Sequence, residues 1–243
     1  MTATRTPPTN HFKPIDPQSD APSMPNQTDK TLAQIRSELL ATFSAADWES
    51  YNHLVGWLRD TDVASHALKV GDTAPDFVLP DANGRLHSSE QLRRDGPLVL
   101  SFIRGGWCPF CTAELCALQA AKDEFESLGA TLAVLTPETR QFPRHLKQRL
   151  GLDLTVLSDV DYGVAVSYGI LFRVPDETKA HYSALGFDLG ARHGSPDWML
   201  PIPATYVIDT EGRIRSVFVE PDFTIREEPG QILASLRRTV STC

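Results

Sequence analysis

PLVLSFIRGGWCPFC, residues 97–111, joins a continuous apolar run to a pair of cysteines, and this stretch decides the fold. Residues 97–103 are apolar without alternation, which is typical of a strand buried on both faces of a sheet. Pro109 suits the first turn of a helix, because the N–H group at that position has no helical partner. Apolar side chains then recur at helical spacing, at Cys111, Leu115, Leu118, Phe125 and Leu128. The stretch therefore predicts a central strand, a glycine loop and a helix that begins at the cysteines.

Strands and helices alternate along the following residues. ATLAVL, residues 130–135, is a second buried strand, so residues 97–135 form a strand–helix–strand unit with a right-handed crossover between parallel strands. Residues 204–209 and 213–219 flank a Thr-Glu-Gly turn and predict a hairpin, and an amphipathic helix ends the chain. The predicted class is α/β with a mixed sheet flanked by helices.

The chain divides into three parts by composition. Residues 1–28 are rich in Pro, Thr, Asn and Asp and are interpreted as a disordered tail. Residues 29–68 have apolar residues at helical spacing and predict a helical extension, either packed on the main domain or acting as a dimerisation arm. Residues 69–243 form the predicted main domain. Within it, residues 171–200 are interpreted as an insertion, either an edge cap or a lid.

If the insertion is a lid that selects substrate, its large aromatic residues are candidates for the wall of the site, namely Phe172, Tyr182 and Trp198.

Charge and composition exclude several classes of function. The 243 residues carry a net charge of −8 with a pI of about 5.3, which argues against a nucleic-acid or anionic-membrane partner. No apolar run is long enough to span a bilayer, and the N-terminus lacks the apolar region of a secretory signal. We therefore expect a cytoplasmic protein, in which structural disulfides are rare and clustered cysteines are catalytic or metal-binding.

Cys108 and Cys111 have the spacing of a dithiol switch. Cys108 lies at the predicted helix N-terminus, where free backbone amides and the helix dipole favour a thiolate, and Arg104 adds positive charge if it folds back over the site. Cys111 lies three residues on, about 5–6 Å away, a separation that a disulfide accepts. We expect Cys108 to be the exposed nucleophile and Cys111 the sheltered partner. A structural zinc is disfavoured, because the chain has no second cysteine pair.

The other two cysteines have other interpretations. Cys116 points to another side of the helix and is expected to pack in the core. Cys243 is interpreted as an idle thiol at a frayed terminus, with a distant resolving role as the alternative.

The motif Trp107-Cys-Pro-Phe-Cys resembles the thioredoxin superfamily site, in which Trp-Cys-x-x-Cys opens a helix after a central strand. The wider chain from about Val70, with VGDTAPDFVLPDANGR and SFIRGGWCPFCTAEL, resembles the AhpC/TSA group and in particular its peroxiredoxin-like branch with a dithiol. The resemblance implies a thioredoxin-like fold over about 70% of the chain. It also implies a cis-proline at Pro203, opposite the dithiol.

The peroxiredoxin pattern is met only in part. Aligned on Cys-x-x-Glu of that family, Cys111 takes the peroxidatic position and Glu114 that of the family's acid. The threonine position then falls on Cys108, the proline position on Arg104 and the remote arginine position on Pro203. Because a thiol is a poor donor and proline donates nothing, two groups that polarise a peroxide are expected to be missing, and any peroxidase to be slow.

The resemblance implies an antioxidant enzyme that reduces hydroperoxides through Cys108 and Cys111 and is recycled by thioredoxin or a glutathione-type donor. The alternative is a thiol–disulfide oxidoreductase acting on protein or small-molecule disulfides, and a third hypothesis is a redox-inert interaction module. Trp107, Pro109, Arg104, Glu114 and Pro203 are the expected supporting residues. No cofactor and no metal are expected. The assembly is left open, with a homodimer as one alternative.

Overall fold

Buried apolar runs form the central sheet of the protein, whose computed structural model describes residues 30–240. The expected tail, residues 1–28, and the terminal Cys243 lie outside the described residues. Over residues 30–240 the strands are β1 (Val78–Pro80), β2 (Leu86–Ser88), β3 (Leu98–Phe102), β4 (Thr131–Thr136), β5 (Thr155–Ser158), β6 (Leu171–Arg173), β7 (Met199–Pro201), β8 (Ala204–Ile208) and β9 (Ile214–Val219).

The central sheet has the order β5-β4-β3-β8-β9 and is mixed, which confirms the predicted fold class. β3, β4 and β5 are parallel, whereas β8 is antiparallel to both β3 and β9. All five residues of β3 are buried, as the continuous apolar run predicts. Phe102, the last residue of β3, pairs with Leu135 on one side and Ala204 on the other. The loop that leads to the cysteines therefore leaves the middle of the sheet.

The helices surround this sheet. Over the same residues they are α1 (Leu32–Leu40), α2 (Ala45–Asp60), α3 (Ser89–Leu92), α4 (Pro109–Ala120), α5 (Lys122–Ser127), α6 (Phe142–Leu150), α7 (Gly163–Ser167), α8 (Asp176–Ala184), α9 (Leu189–His193) and α10 (Pro229–Val240). In this part of the chain, none of them combines the length and the hydropathy that crossing a membrane requires.

The helix predicted after the cysteines is divided in two. α4 begins at Pro109 with Cys108 as its N-cap residue, as predicted. The helix is interrupted at Ala121, and α5 continues in the same region of the chain. Gly129 follows with a φ of 73°, a left-handed conformation that glycine adopts at little cost and that ends a helix.

The N-terminal extension packs on the main domain. α1 lies against α4, and α2 lies against α8. The extension is anchored at the buried Asp222, whose Oδ2 is 3.1 Å from Arg36 Nη2 and accepts a hydrogen bond of 2.7 Å from the Tyr51 hydroxyl. α1 and α2 therefore pack on the main domain, the arrangement that the first of the two interpretations describes.

The segment of residues 171–201 forms a two-helix arm. Its ends, β6 and β7, pair as antiparallel strands, and they carry α8 and α9 between them. Of the three candidate wall residues, Phe172 packs against Trp57 with ring centroids 6.2 Å apart, and Trp198 lies 5.1 Å from Lys179 Nζ. Only Tyr182, on α8, reaches the neighbourhood of the cysteines.

The expected cis bond before Pro203 is wrong, because no peptide bond of the described residues is cis. An X–Pro bond favours trans by about 0.5–1 kcal/mol unless its surroundings impose a turn. Here Ile202 N donates to Ile170 O at 2.7 Å, next to the β6–β7 pair. The chain therefore enters β8 already extended, and the trans bond continues it.

Candidate active site

The loop between β3 and α4 brings the cysteines to the edge of the sheet. Gly105 has a φ of 142°, and a Cβ atom there would lie 2.5 Å from Trp107 Nε1. Only glycine fits this position, since a side chain would be strained and would collide with the buried indole. The two glycines thus let the chain turn tightly from β3 and place Cys108 at the start of α4.

Both cysteines are reduced and buried. Cys108 is 1% exposed and Cys111 0% exposed. The expectation that Cys108 is exposed is therefore wrong. The reason is tertiary, because α2 and the two-helix arm cover a helix end that the isolated strand–helix unit would leave open.

The thiolate is nonetheless favoured at Cys108. Burial opposes ionisation, but a hydrogen bond from Cys111 and the charges of Arg104 and Arg226 together lower the pKa of Cys108 to about 5. Burial, together with the hydrogen bond to Cys108 and the charge of that thiolate, raises the pKa of Cys111. The pair therefore carries one negative charge near neutral pH, on Cys108, and one proton, on Cys111.

An arginine that the sequence analysis did not identify lies beside Cys111. Arg226 Nη2 donates to Cys111 Sγ at 3.2 Å, and its Nε lies 3.0 Å from Glu114 Oε2. The other oxygen of Glu114 accepts a hydrogen bond of 2.8 Å from the Ser101 hydroxyl on β3. All four side chains are buried. The expectation that the site lacks an arginine donor is therefore wrong, because Arg226 supplies one beside Cys111.

Arg104 supplies a second buried cation, next to Cys108. Its Nη2 donates to the Tyr182 hydroxyl, and its Cζ lies 4.1 Å from the Phe223 ring centroid and 4.8 Å from that of Trp107. No carboxylate pairs with Arg104 among the described residues. Aromatic faces stabilise a cation, but they do not neutralise it. The Cys108 thiolate is the charge that balances Arg104.

A small open pocket lies against Cys108. Apolar and aromatic side chains dominate its lining, and they come from the N-terminal extension, α4, the two-helix arm and the loop of Phe223: Phe43, Tyr51, Phe110, Tyr182, Leu185, Phe187 and Phe223. At its rim His181 Nε2 lies 3.0 Å from Asp47 Oδ1 and joins α8 to α2. Cys108 lines the pocket and Cys111 does not. A small molecule in the pocket therefore meets Cys108 first.

Polar contacts on the opposite side of the loop hold it in place. The N–H of Gly106 donates to Glu138 Oε2 at 2.7 Å, and the carbonyl of Gly106 accepts from Arg149 Nη2 at 2.7 Å. The other oxygen of Glu138 pairs with Arg192 at 2.8 Å. The residue two before Cys108 is thus fixed through both of its backbone polar groups.

Comparison with known proteins agrees with this architecture. The family model described as the AhpC/TSA family matches residues 70–217, more than half of the chain. The chain belongs to the AhpC/TSA family.

Individual relatives of the AhpC/TSA family are similar over most of their length. A putative peroxiredoxin of Mycobacterium tuberculosis is 28% identical over 172 residues, which are 70% of this chain and 97% of the relative. Peroxiredoxin Bcp of Escherichia coli is 28% identical over 62% of this chain and 85% of its own length. The crystal structure of peroxidoxin BcpB from Mycobacterium tuberculosis aligns with a TM-score of 0.55 at 26% identity, covering 70% of this chain and 97% of that one. The protein is a thiol-dependent oxidoreductase with the thioredoxin-like fold of the peroxiredoxins.

Two parts of the protein that contribute to the site lie outside the residues that match the AhpC/TSA family. The N-terminal extension and Arg226 lie beyond the matched residues 70–217. One signal for Arg226 was present in the sequence, because Glu114 falls on the buried side of a predicted helix and a buried carboxylate needs a cation. Which arginine fills that role is a matter of tertiary structure.

The remaining predicted residues have simpler positions. Pro203 is buried just before β8 and does not line the pocket. Cys116 is half-buried on α4, and burial raises its pKa. Within residues 30–240, no three His, Cys, Asp or Glu side chains converge as ligands for a metal ion.

Proposed function

We propose that this enzyme reduces hydroperoxides with Cys108 as the attacking thiolate and Cys111 as the resolving thiol. The observation that carries the proposal is the division of roles in the pair. Cys108 has a pKa of about 5 and faces the pocket, whereas Cys111 keeps its proton and lies behind it against Arg226. A nucleophile needs the ionised form and open approach, and a resolving thiol needs to be adjacent.

Two steps complete the reaction. The Cys108 thiolate attacks the terminal oxygen of R–O–OH, so that an S–O bond forms, the O–O bond breaks and the alkoxide leaves as ROH after gaining a proton. Cys111 then attacks the sulfenic acid on Cys108, forming the Cys108–Cys111 disulfide and releasing water. The peroxide gains two electrons, which the two sulfurs lose. A reduced thiol donor of the thioredoxin or glutathione type returns them.

The pocket supports a small substrate over a protein disulfide. With both sulfurs 1% exposed or less beneath aromatic side chains, a hydroperoxide can approach Cys108 within the pocket. A protein disulfide would first have to displace α2 and the two-helix arm, which cover Cys108. Thiol–disulfide exchange with small disulfides stays the second candidate, because the Cys-Pro-Phe-Cys pair has the low-pKa sulfur that such exchange requires. That same activated sulfur argues against a redox-inert module.

The wider setting of this function is also a proposal. We place the enzyme in the cytoplasm as an antioxidant, because its sequence clusters its cysteines in a redox motif, as is typical of that compartment, where structural disulfides are rare. Its domain division is proposed as an extension over residues 29–68 and a redox domain over residues 69–243. The assembly stays open, with a homodimer as one alternative.

Mass spectrometry of two serine variants after one equivalent of peroxide tests the assignment of the nucleophile. Cys108→Ser should leave the peroxide unreacted, and Cys111→Ser should stop at a sulfenic acid on Cys108, because nothing resolves it. A sulfenic acid confined to Cys111 in the Cys108→Ser protein would reverse the two roles and favour the usual peroxiredoxin order.

Steady-state turnover distinguishes the two candidate substrates. The enzyme is supplied with a thioredoxin system as reductant and with either a hydroperoxide or a model protein disulfide. We expect faster turnover with the hydroperoxide. Faster turnover with the protein disulfide would favour thiol–disulfide exchange, and an enzyme without turnover or any fast-reacting thiol would favour the inert module.

A further inference from the structure

The hydroxyl of Tyr182 belongs to a residue near the nucleophile Cys108 that has no role in the family motif. It is a buried side chain of α8, in the two-helix arm, and lines the same pocket as Cys108. Its ring packs edge-on against Trp107, with centroids 5.5 Å apart, and against Phe187, at 6.3 Å. These contacts fix the position of the ring. The hydroxyl is thus held at a defined place in the wall of the pocket that Cys108 also lines.

The hydrogen bond to Arg104 determines the direction of the hydroxyl. Arg104 Nη2 donates to Tyr182 Oη, so the oxygen is an acceptor in this contact and its own proton is left over. No acceptor for that proton is found among residues 30–240. Because Tyr182 lines the pocket, a substrate bound against its hydroxyl would receive this proton.

The chemistry of peroxide reduction needs one such proton. When the O–O bond breaks, the leaving oxygen becomes an alkoxide, which is more basic than a phenolate, since free tyrosine has a pKa of about 10 and water one of about 15.7. Burial raises the pKa of Tyr182 above its ordinary value, and the charge of Arg104 opposes that rise. Cys111 does not line the pocket, and its proton is directed to the Cys108 sulfur, so this proton does not face the leaving oxygen. A donor on the pocket side is required.

We propose that Tyr182 is the general acid that protonates the leaving alkoxide when Cys108 attacks a hydroperoxide. The thiolate forms the S–O bond, the O–O bond breaks, and the Tyr182 proton passes to the leaving oxygen to give ROH. Arg104 stabilises the phenolate that results, and the proton that Cys108 lost on ionising returns to Tyr182 through solvent. This inference rests on the proposed function, with Cys108 as the nucleophile.

Two peroxides of the same size separate general acid catalysis from packing. Ethyl hydroperoxide leaves ethoxide, which needs a proton, whereas peracetic acid leaves acetate, which does not. Single-turnover oxidation of the reduced full chain is followed by rapid quench and mass spectrometry, with Cys108→Ser as the background. Tyr206→Phe is the matched control, because it removes another buried hydroxyl that lies outside the pocket.

We expect Tyr182→Phe to react about 100-fold more slowly with ethyl hydroperoxide, within the range for a lost general acid, and at most about 3-fold more slowly with peracetic acid. Tyr206→Phe should resemble the wild type with both. An equal loss with the two peroxides would assign Tyr182 to packing and overturn the inference, as would an unchanged rate with ethyl hydroperoxide. A wild type no faster than Cys108→Ser with either peroxide would instead overturn the proposed function, and the inference with it.

The wild-type protein offers a test that no variant's folding can affect. A proton transferred in the rate-limiting step slows the reaction in D₂O, so the wild type should react more slowly in D₂O with ethyl hydroperoxide but not with peracetic acid. The absence of a solvent isotope effect with ethyl hydroperoxide would contradict the inference.

Discussion

Replacement of Arg104 by methionine should raise the pKa of Cys108 and leave the fold intact. Arg104 is 1% exposed, has aromatic rings on its faces and has no carboxylate partner among the described residues. Removing this cation takes away one of the two positive charges that favour the thiolate. Methionine fills similar space among aromatic rings, and the Cys108 thiolate can take up a proton when the cation is removed, so no unpaired charge stays buried.

The magnitude follows from the electrostatics of the site. An opposite charge within about 4–6 Å lowers an acid's pKa by roughly 1–3. The pKa of Cys108 should therefore rise from about 5 to between about 6 and 8 in Arg104→Met. At about 1.36 kcal/mol for each tenfold change, this is a loss of roughly 1.4–4 kcal/mol of thiolate stabilisation. At pH 6 the thiolate fraction would fall from about nine-tenths to between about one-half and one-hundredth.

The assay is the pH dependence of alkylation of Cys108 by iodoacetamide, read by mass spectrometry. The midpoint of this profile reports the pKa of Cys108, whereas the shielding of Cys108 by α2 and the two-helix arm changes only the alkylation rate at the plateau. Arg104→Lys is the matched variant, because it keeps the charge and loses the planar fork. Its midpoint should stay close to that of the wild type. A midpoint near 5 in the methionine variant, or equal midpoints in the methionine and lysine variants, would refute the electrostatic role of Arg104.

Three further predictions concern the loop, the cover and acid stability. Glu138→Gln removes the buried ion pair with Arg192 and weakens the support of the glycine loop. The free energy of unfolding, measured by urea denaturation, should fall by about 3 kcal/mol, and a fall of less than about 1 kcal/mol would contradict this. His181→Ala removes the contact with Asp47 that joins α8 to α2 at the edge of the pocket, so iodoacetamide should label Cys108 faster with the same pH midpoint. An unchanged labelling rate would mean that this contact does not restrain the helices over Cys108. Burial, with an arginine beside it, lowers the pKa of His193 to about 4. As pH falls from about 6.5 to 4, only the unfolded chain takes up this proton, so the free energy of unfolding should fall by about 3 kcal/mol. His193→Gln should flatten this pH dependence, and an equally steep dependence in the variant would rule out His193 as its source.

The sequence alone determined the architecture around β3 and α4. A continuous apolar run, two glycines and a proline after the first cysteine specify strand, turn and helix through local rules. The parallel β3–β4 pair and the β8–β9 hairpin followed from similarly local patterns. These predictions succeeded because backbone conformation and periodicity are properties of neighbouring residues.

Pairing between remote segments was beyond the reach of such patterns. The burial of Cys108 depends on α2 and on the two-helix arm, which lie far from it in the chain. Arg226 is 115 residues from Cys111, yet it donates to that sulfur. Tyr182 is 78 residues from Arg104, and no spacing rule links them. The trans bond at Pro203 likewise follows from how β7 and Ile202 are held, against an expectation taken from a resemblance.

The difference between the features that local sequence patterns predict and those that depend on the tertiary structure has one physical cause. A motif of adjacent residues sets which atoms a helix end can present, and so the identity of the dithiol was readable from residues 104–116. The reactivity of its sulfurs depends on charge and solvent access, which are sums over everything that packs around the helix end in three dimensions. Cys108 is a buried thiolate because Arg226 and aromatic side chains from distant parts of the chain join the nearby Arg104 around it, and only the tertiary structure brings them there.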